Sequence, residues 1–228
     1  MQRLDKILSD AGVATRKELR QIIRAGRVSV NGLVIRAPEQ KFDESTCEVL
    51  LDGVPIRKNA PVLLMLHKPS GYVTATEDPK ERTVMELIPE EYRRLDVKPI
   101  GRLDKDTEGL LLFTNQGELA HHILSPKHEV WKTYYARHEG TAGPEDVEAF
   151  RTGITLRGDE KCLPAELIPL GVGESRIRIR EGKYHQVRRM MASRGMTVTY
   201  LRRESEGPID LGDLPLGQTR ELDPNVFS

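Results

Sequence analysis

The sequence predicts an α+β protein in two parts, a small N-terminal module and a larger domain built on a mixed, mostly antiparallel sheet. Three observations support this. Two short helical patterns followed by a hairpin signal fill the first fifty residues. A stretch with two prolines and a glycine, DGVPIRKNAP at residues 52–61, reads as a linker. Beyond it, short apolar strand-like runs outnumber helical stretches and alternate with them irregularly, the pattern of an α+β domain rather than of βαβ units. The predicted parts are residues 1–58 and 59–228.

Each element has its own local reason. RLDKILSDAG places Leu4, Ile7 and Leu8 on one helical face, with Gly12 beyond its end. Thr15 and Glu18 have capping-box spacing, and the second helix runs to Gly26. VSVNGLVI sets Asn31-Gly32 between two β-branched arms, a strong hairpin signal. In the larger part the strand candidates are VLLML, LLLFT, VWKTYYA, AELIPL, SRIRIR and MTVTYL. Helices are expected over VMELIP, QGELAHHIL, PEDVEAFRTG and HQVRRMMASRG.

The totals bound the class. The chain has 228 residues, enough for a substantial core and two modest domains. No apolar run approaches the roughly 20 residues of a membrane span, and the charged N-terminus lacks the apolar centre of a signal peptide. Two cysteines, Cys47 and Cys162, lie far apart and give neither a disulfide framework nor zinc spacing. A reducing, cytoplasmic location is expected.

Net charge is zero, from 35 basic and 35 acidic residues, yet the charge is unevenly placed. Residues 1–36 hold eight basic and three acidic groups, a local excess of +5. Residues 174–203 hold nine against two, an excess of +7. Two basic stretches on a neutral chain point to a polyanion gripped at two places. Helical spacing sets Arg16, Arg20, Arg24 and Arg27 along one side.

The chemistry is narrower still. His121 and His122 are adjacent and cannot share a helix face, and the remaining histidines have no ligand spacing. There is no phosphate loop, dinucleotide fingerprint or nucleophile elbow. An enzyme of this kind would use side chains alone, with no cofactor and no metal. Three stretches remain. GRLDKDTEGLLLFT carries Arg102, Asp104, Lys105, Asp106 and Glu108 straight into a core strand, a rigid place to hold a working charge. In WKTYYARHEG, alternation puts Lys132, Tyr134 and Ala136 on one face and Trp131, Thr133 and Tyr135 on the other. In RIRIREGKYHQVRRMMASRG, Arg176, Arg178 and Arg180 oppose Ile177 and Ile179, and Arg188 lies beside an apolar helical stripe, where it can turn toward an acid.

Residues 2–50, with their helix pair and GRVSVNG hairpin, resemble the S4 RNA-binding domain. GRLDKDTEGLLLFT, PKHEVWKTYYA and EGKYHQVRRMMA resemble three ordered motifs of pseudouridine synthases. The whole chain is similar to the RsuA family, which isomerises uridine in ribosomal RNA. The KYHQVRRM and TEDPKERTV stretches look closer to the small-subunit enzymes than to their large-subunit relatives.

That resemblance implies site residues. Asp104 matches the family's catalytic aspartate, Arg188 the cation that keeps it ionised, and Tyr134 the tyrosine that stacks on the uracil and is a candidate for handling the C5 proton. Arg102 matches the residue that fills the gap left by the extruded base. Arg3, Arg16, Lys17, Arg20, Arg24 and Arg27 would grip RNA from the S4-like part. Lys132 is expected to be a phosphate contact or solvated, and Arg189 a phosphate contact or a surface residue. Tyr184, His185 and Gln186 are candidates for the pocket lining or for packing, and Asp106 and Thr107 for building the loop. One departure stands out: Ser205 and Glu206 occupy positions where the family usually shows a basic or small residue and an isoleucine. The implied partner is ribosomal RNA, free or in an assembling small-subunit particle, met by a monomer with no membrane contact. A non-catalytic RNA-binding protein of the same fold is the alternative, and the trio Asp104, Tyr134 and Arg188 argues against it.

Overall fold

A computed structural model describes residues 1–44, 46–56 and 61–227. The chain divides into two compact units, Met1–Pro61 and Val62–Ser228. The expected division between residues 58 and 59 lies outside the described residues.

The first unit pairs helices Leu4–Asp10 and Arg16–Arg24 against a small sheet. Thr15 caps the second helix as its spacing demands: the Glu18 amide donates to its hydroxyl and the Glu18 carboxylate accepts from the Thr15 amide. Val28–Val30 and Leu33–Ile35 form the hairpin, with Asn31 and Gly32 at φ 50° and 79°, the left-handed pair of a tight turn. Leu4, Leu8, Leu19, Ile23 and Val28 are wholly buried and form its core with Ile7, Val30, Ile35 and Val49.

The expected linker begins later than its composition suggests. Val49–Leu51 pairs with Val54–Pro55 across Asp52-Gly53, and both turn residues have positive φ. Asp-Gly between short apolar arms is a hairpin signal in its own right, and it outweighs the proline at the strand's end.

In the second unit the sheet is mixed, with nine strands among the described residues. Its main order is Glu166–Gly171, Glu174–Ile179, Lys132–His138, Val198–Glu206, Glu108–Thr114, Leu63–Lys68 and Thr219–Leu222. Every neighbouring pair is antiparallel except Val198–Glu206 against Glu108–Thr114. That parallel contact is close. Gly109 sits at φ 106°, and a Cβ there would stand 2.2 Å from the Arg203 carbonyl oxygen. Only glycine lets these strands meet, which explains the glycine ahead of the leucine run.

One sheet face buries Leu64, Leu66, Leu111, Phe113, Ile177 and Leu201 with helices Pro144–Thr152 and Gln186–Ser193. The other buries Leu63, Met65, Leu110 and Leu112 beneath helix Gly117–Leu124. VMELIP forms only a 3-10 turn, Val84–Leu87. Helix Glu90–Arg94 and strand Thr219–Leu222 carry no apolar periodicity and were not expected.

Candidate active site

The charged segment before the leucine run is a rigid loop held from beneath. Lys68 closes the neighbouring strand and is fully buried. Its ammonium donates to the carbonyl oxygens of Pro69 (3.1 Å), Asp104 (3.1 Å), Lys105 (3.2 Å) and Thr107 (2.8 Å). Thr74 adds a reciprocal clamp: its hydroxyl donates to the Leu103 carbonyl at 2.8 Å and accepts from the Leu103 amide at 3.1 Å. The Gly71 amide donates to the Lys105 carbonyl at 2.8 Å. With its backbone fixed, the loop presents the Asp104 side chain at a set position, about a quarter exposed. Burial pushes the Lys68 ammonium down to about 8, while Asp106, Asp104 and Glu108 hold its proton on.

A cleft of about 880 Å³ opens beside this loop. Asp104, Tyr134, Arg102 and His185 line it, with Lys132, Arg203 and Glu206 at its floor. Tyr134 comes from strand Lys132–His138, one strand beyond Val198–Glu206 in the sheet, and is 7% exposed. Burial raises its phenol above the ordinary range, with Arg203 working against the rise. The hydroxyl therefore keeps its proton at neutral pH.

Helix Gln186–Ser193 brings Arg188 to the loop from far along the chain. Its guanidinium lies 2.9 Å from the Asp106 carboxylate and 3.8 Å from that of Asp104, and it donates to the Val198 carbonyl at 3.2 Å. Asp106 is thus more than a loop builder: it is the nearer partner of Arg188 and orients it along Asp104. His185 stands just before this helix at φ 46°, and its ring nitrogen lies 3.4 Å from the second Asp104 oxygen. Tyr184 stacks on the His185 ring at 3.9 Å and leaves its own face exposed. Asp104 therefore lies between an arginine and a histidine, each within 4 Å of one of its oxygens.

The structure brings together Asp104, Tyr134, Arg188 and Arg102. Two expected RNA contacts sit differently. Lys132 is not a surface residue: it is 7% exposed, 3.8 Å from Glu206 at the cleft floor. Strand alternation gave its face correctly, but that face is the interior. Arg189 pairs with Glu160 and donates to the Tyr184 carbonyl, so its charge is spent within the domain.

The basic excess of residues 174–203 is similarly met by acids from other strands and helices. Arg176 and Arg202 share Glu204, Arg178 pairs with Glu166, Arg180 with Glu129, and Arg194 with Asp146. Arg178 and Arg180 both lie over the Trp131 ring at 4.9 Å. Sequence reasoning missed Lys68, whose only signal was a lysine following His67 at the end of an apolar run.

In the first unit, Arg3 and Arg20 both reach the buried Asp5. Arg27 lies past the end of its helix and pairs with Asp52 rather than extending the helical row. Arg16, Lys17 and Arg24 are exposed and make no ion pair among the described residues.

A fold, a clamped aspartate and a tyrosine-lined cleft of this kind define a class. The RNA pseudouridylate synthase family matches residues 62–193 and the S4 domain matches residues 2–46, and the chain belongs to the RNA pseudouridylate synthase family. Among its relatives, the uncharacterized RNA pseudouridine synthase YtzG of Bacillus subtilis is 41% identical, covering 96% of this chain and 94% of its own. Ribosomal small subunit pseudouridine synthase A of Vibrio cholerae is also 41% identical, over 96% and 95%. Ribosomal large subunit pseudouridine synthase B of Bacillus subtilis is 36% identical, over 99% and 93%. A crystal structure of a pseudouridylate synthase superposes with a TM-score of 0.71 at 31% identity, covering 99% of this chain and 97% of that one. The protein is an RNA pseudouridine synthase with a leading S4 domain.

Proposed function

We propose that this protein isomerises a specific uridine to pseudouridine in ribosomal RNA, and that its target lies in the 16S RNA of the small subunit. The observation that carries the reading is the placement of Asp104 on a clamped loop, between His185 and Arg188, at a cleft lined by Tyr134. Similarity at 41% to a small-subunit synthase over nearly the whole chain favours that subunit. Similarity at 36% to a large-subunit synthase makes 23S RNA the second reading.

In this reading the target nucleotide leaves its stack and enters the cleft. Exposed Arg102, at the mouth, takes the vacated space, because a planar guanidinium stacks on bases. The Asp104 side chain meets the nucleoside, with Arg188 beside one oxygen and the His185 ring within 3.4 Å of the other. Tyr134 stacks on the uracil, and its phenol is the candidate for handling the C5 proton. Residues 1–58 grip the RNA through Arg16, Lys17 and Arg24, with Arg3, Arg20 and Arg27 beside them engaged by Asp5 and Asp52, and residues 59–228 carry out the chemistry. The protein acts as a monomer in the cytoplasm on free RNA or an assembling particle.

The test is to map pseudouridine in both ribosomal RNAs from cells with and without the gene. One 16S position should lose its modification. Loss in 23S RNA alone would assign the other subunit, and no loss in either would reject the function.

A further inference from the structure

Beneath the cleft lies an ionic cluster that the reading above leaves without a task. Lys132, Arg203 and Glu206 are 7%, 2% and 0% exposed. The Lys132 ammonium stands 3.8 Å from one Glu206 oxygen, and an Arg203 guanidinium nitrogen 3.1 Å from the other. Neither Glu206 oxygen, nor that arginine nitrogen, makes an aligned hydrogen bond among the described residues. Arg203 is anchored instead through its Nε, which donates to the Leu110 carbonyl at 2.7 Å. The ammonium of Lys132 has one hydrogen bond, to the Val130 carbonyl at 3.3 Å, and its residue lines the cleft.

Two cations share one anion here, largely shielded from water at the bottom of the cleft. Buried charge is costly unless it is compensated. The excess positive charge sits under Tyr134, where the uracil must lie, and the Lys132 ammonium, which donates to the Val130 carbonyl and faces Glu206, retains a further N–H to donate. Burial pushes the Lys132 ammonium down, Glu206 holds its proton on and Arg203 opposes it, and a further negative group beside it would help hold that proton.

The reaction supplies that group. Breaking N1–C1′ leaves the bonding electron pair on the uracil, spread over N1, O2 and O4. The ring then turns, C5 bonds to C1′, the C5 proton leaves to a base and N1 takes up a proton. Atoms and electrons balance without an oxidant or reductant. A cation that meets a carbonyl oxygen gains most when the ring is an anion, which is the condition for lowering a barrier rather than merely binding. Resting on the isomerase reading, we propose that Lys132 is a catalytic residue that hydrogen-bonds a uracil carbonyl oxygen and stabilises the departing uracil anion, with Glu206 and Arg203 as the positioning residues that hold it there. Glu206, the departure from the family pattern, is then the acid that keeps two cations together at the floor.

The test uses a ribosomal RNA fragment that the wild-type protein modifies, made with uridine or with the more acidic 5-fluorouridine. Loss of the N-glycosidic nucleoside is followed in single turnover, alongside RNA affinity. Lys132→Met should slow the uridine fragment at least about 100-fold with less than about twofold change in affinity. On 5-fluorouridine, whose anion needs less help, the defect should shrink about tenfold or more. An equal defect on both fragments, or weaker binding at an unchanged rate, overturns the role and leaves the isomerase reading standing. No turnover by the wild type of any ribosomal fragment rejects the isomerase reading, and this inference with it. Should Lys132→Met not fold, competition on the wild type decides: a uracil analogue ionised at neutral pH should compete at least about tenfold better than uracil, and failure to do so overturns the role.

Discussion

Arg188 lies 2.9 Å from Asp106 and 3.8 Å from Asp104, so the arginine is tied to one acid and poised along another. A direct, closed pair with Asp104 would bury the anion's charge in a salt bridge. Offset, the guanidinium stays beside the carboxylate without closing on it. Asp104→Asn should therefore abolish pseudouridine formation while changing RNA affinity less than about twofold, because the amide has neither the charge nor the nucleophilicity. Turnover within tenfold of wild type would remove Asp104 from the mechanism.

Asp106→Asn tests the tether itself. It removes the charge from a largely exposed ion pair worth at most about 1 kcal/mol and frees Arg188 to close on Asp104 or swing away. The rate should fall about tenfold with the melting temperature little changed, since Asp106 is exposed. Rate and pH profile together check this. An unaltered rate would mean that the Val198 carbonyl alone positions Arg188.

The strands that build the site were legible because their leucines, isoleucines and β-branched residues form short runs bounded by glycine and charge. The three motifs also located Asp104, Tyr134 and Arg188. Lys68 and Lys132 were not legible in role, because a lysine's sequence position does not reveal whether its ammonium meets water or carbonyl oxygens. Thr219–Leu222, an edge strand of TREL, is half charged and owes its structure to pairing with Leu63–Leu66. The basic stretch of residues 174–203 misled for a related reason: charge counted along the chain ignores Glu129, Asp146, Glu160 and Glu166, which the fold brings from elsewhere.

Lys68 gives a pH prediction. Its folded value is about 8, below its ordinary value of 10.5. Between those values the folded chain has released the proton while the unfolded chain keeps it. The unfolded state then binds more protons, so this group's contribution to stability rises with pH. The neutral amine has one donor fewer for its four carbonyl acceptors, and the Asp104 loop loosens. Activity should decline above about pH 8 while the melting temperature shows no parallel fall. Lys68→Met, which strands the buried carbonyls, should cost about 3 kcal/mol and nearly all activity. A flat rate between pH 7.5 and 9.5 would exclude this role.

Gly109→Ala should be among the most damaging single methyl additions to this chain. It combines φ 106° with backbone at 2.2 Å on the one parallel strand contact of the main sheet. The two strands must part or twist, which displaces Arg203 and the start of the leucine run together. A loss of about 3 kcal/mol or more is expected, readable as a lowered denaturant midpoint, with poor soluble yield the extreme case. Stability within 1 kcal/mol of wild type would show that the strands can separate at little cost.

The S4 unit separates charges free to meet phosphate from charges already engaged. Arg16, Lys17 and Arg24 are exposed without an ion pair among the described residues, whereas Arg27 is neutralised by Asp52 and Arg20 leans on Asp5. Each phosphate contact contributes about 0.7 to 0.9 to the slope of log affinity against log salt. Replacing Arg16, Lys17 and Arg24 together by alanine should lower that slope by about 2 and weaken binding most at low salt. Arg27→Ala should change it by less than about 0.5, because losing a paired arginine leaves Asp52 but removes no free cation. Titration of a labelled ribosomal RNA fragment at several salt concentrations reads both numbers. If Arg27 proved as costly as the other three together, RNA would have to displace Asp52, and the grip would run through the turn at Asp52-Gly53 rather than along the second helix.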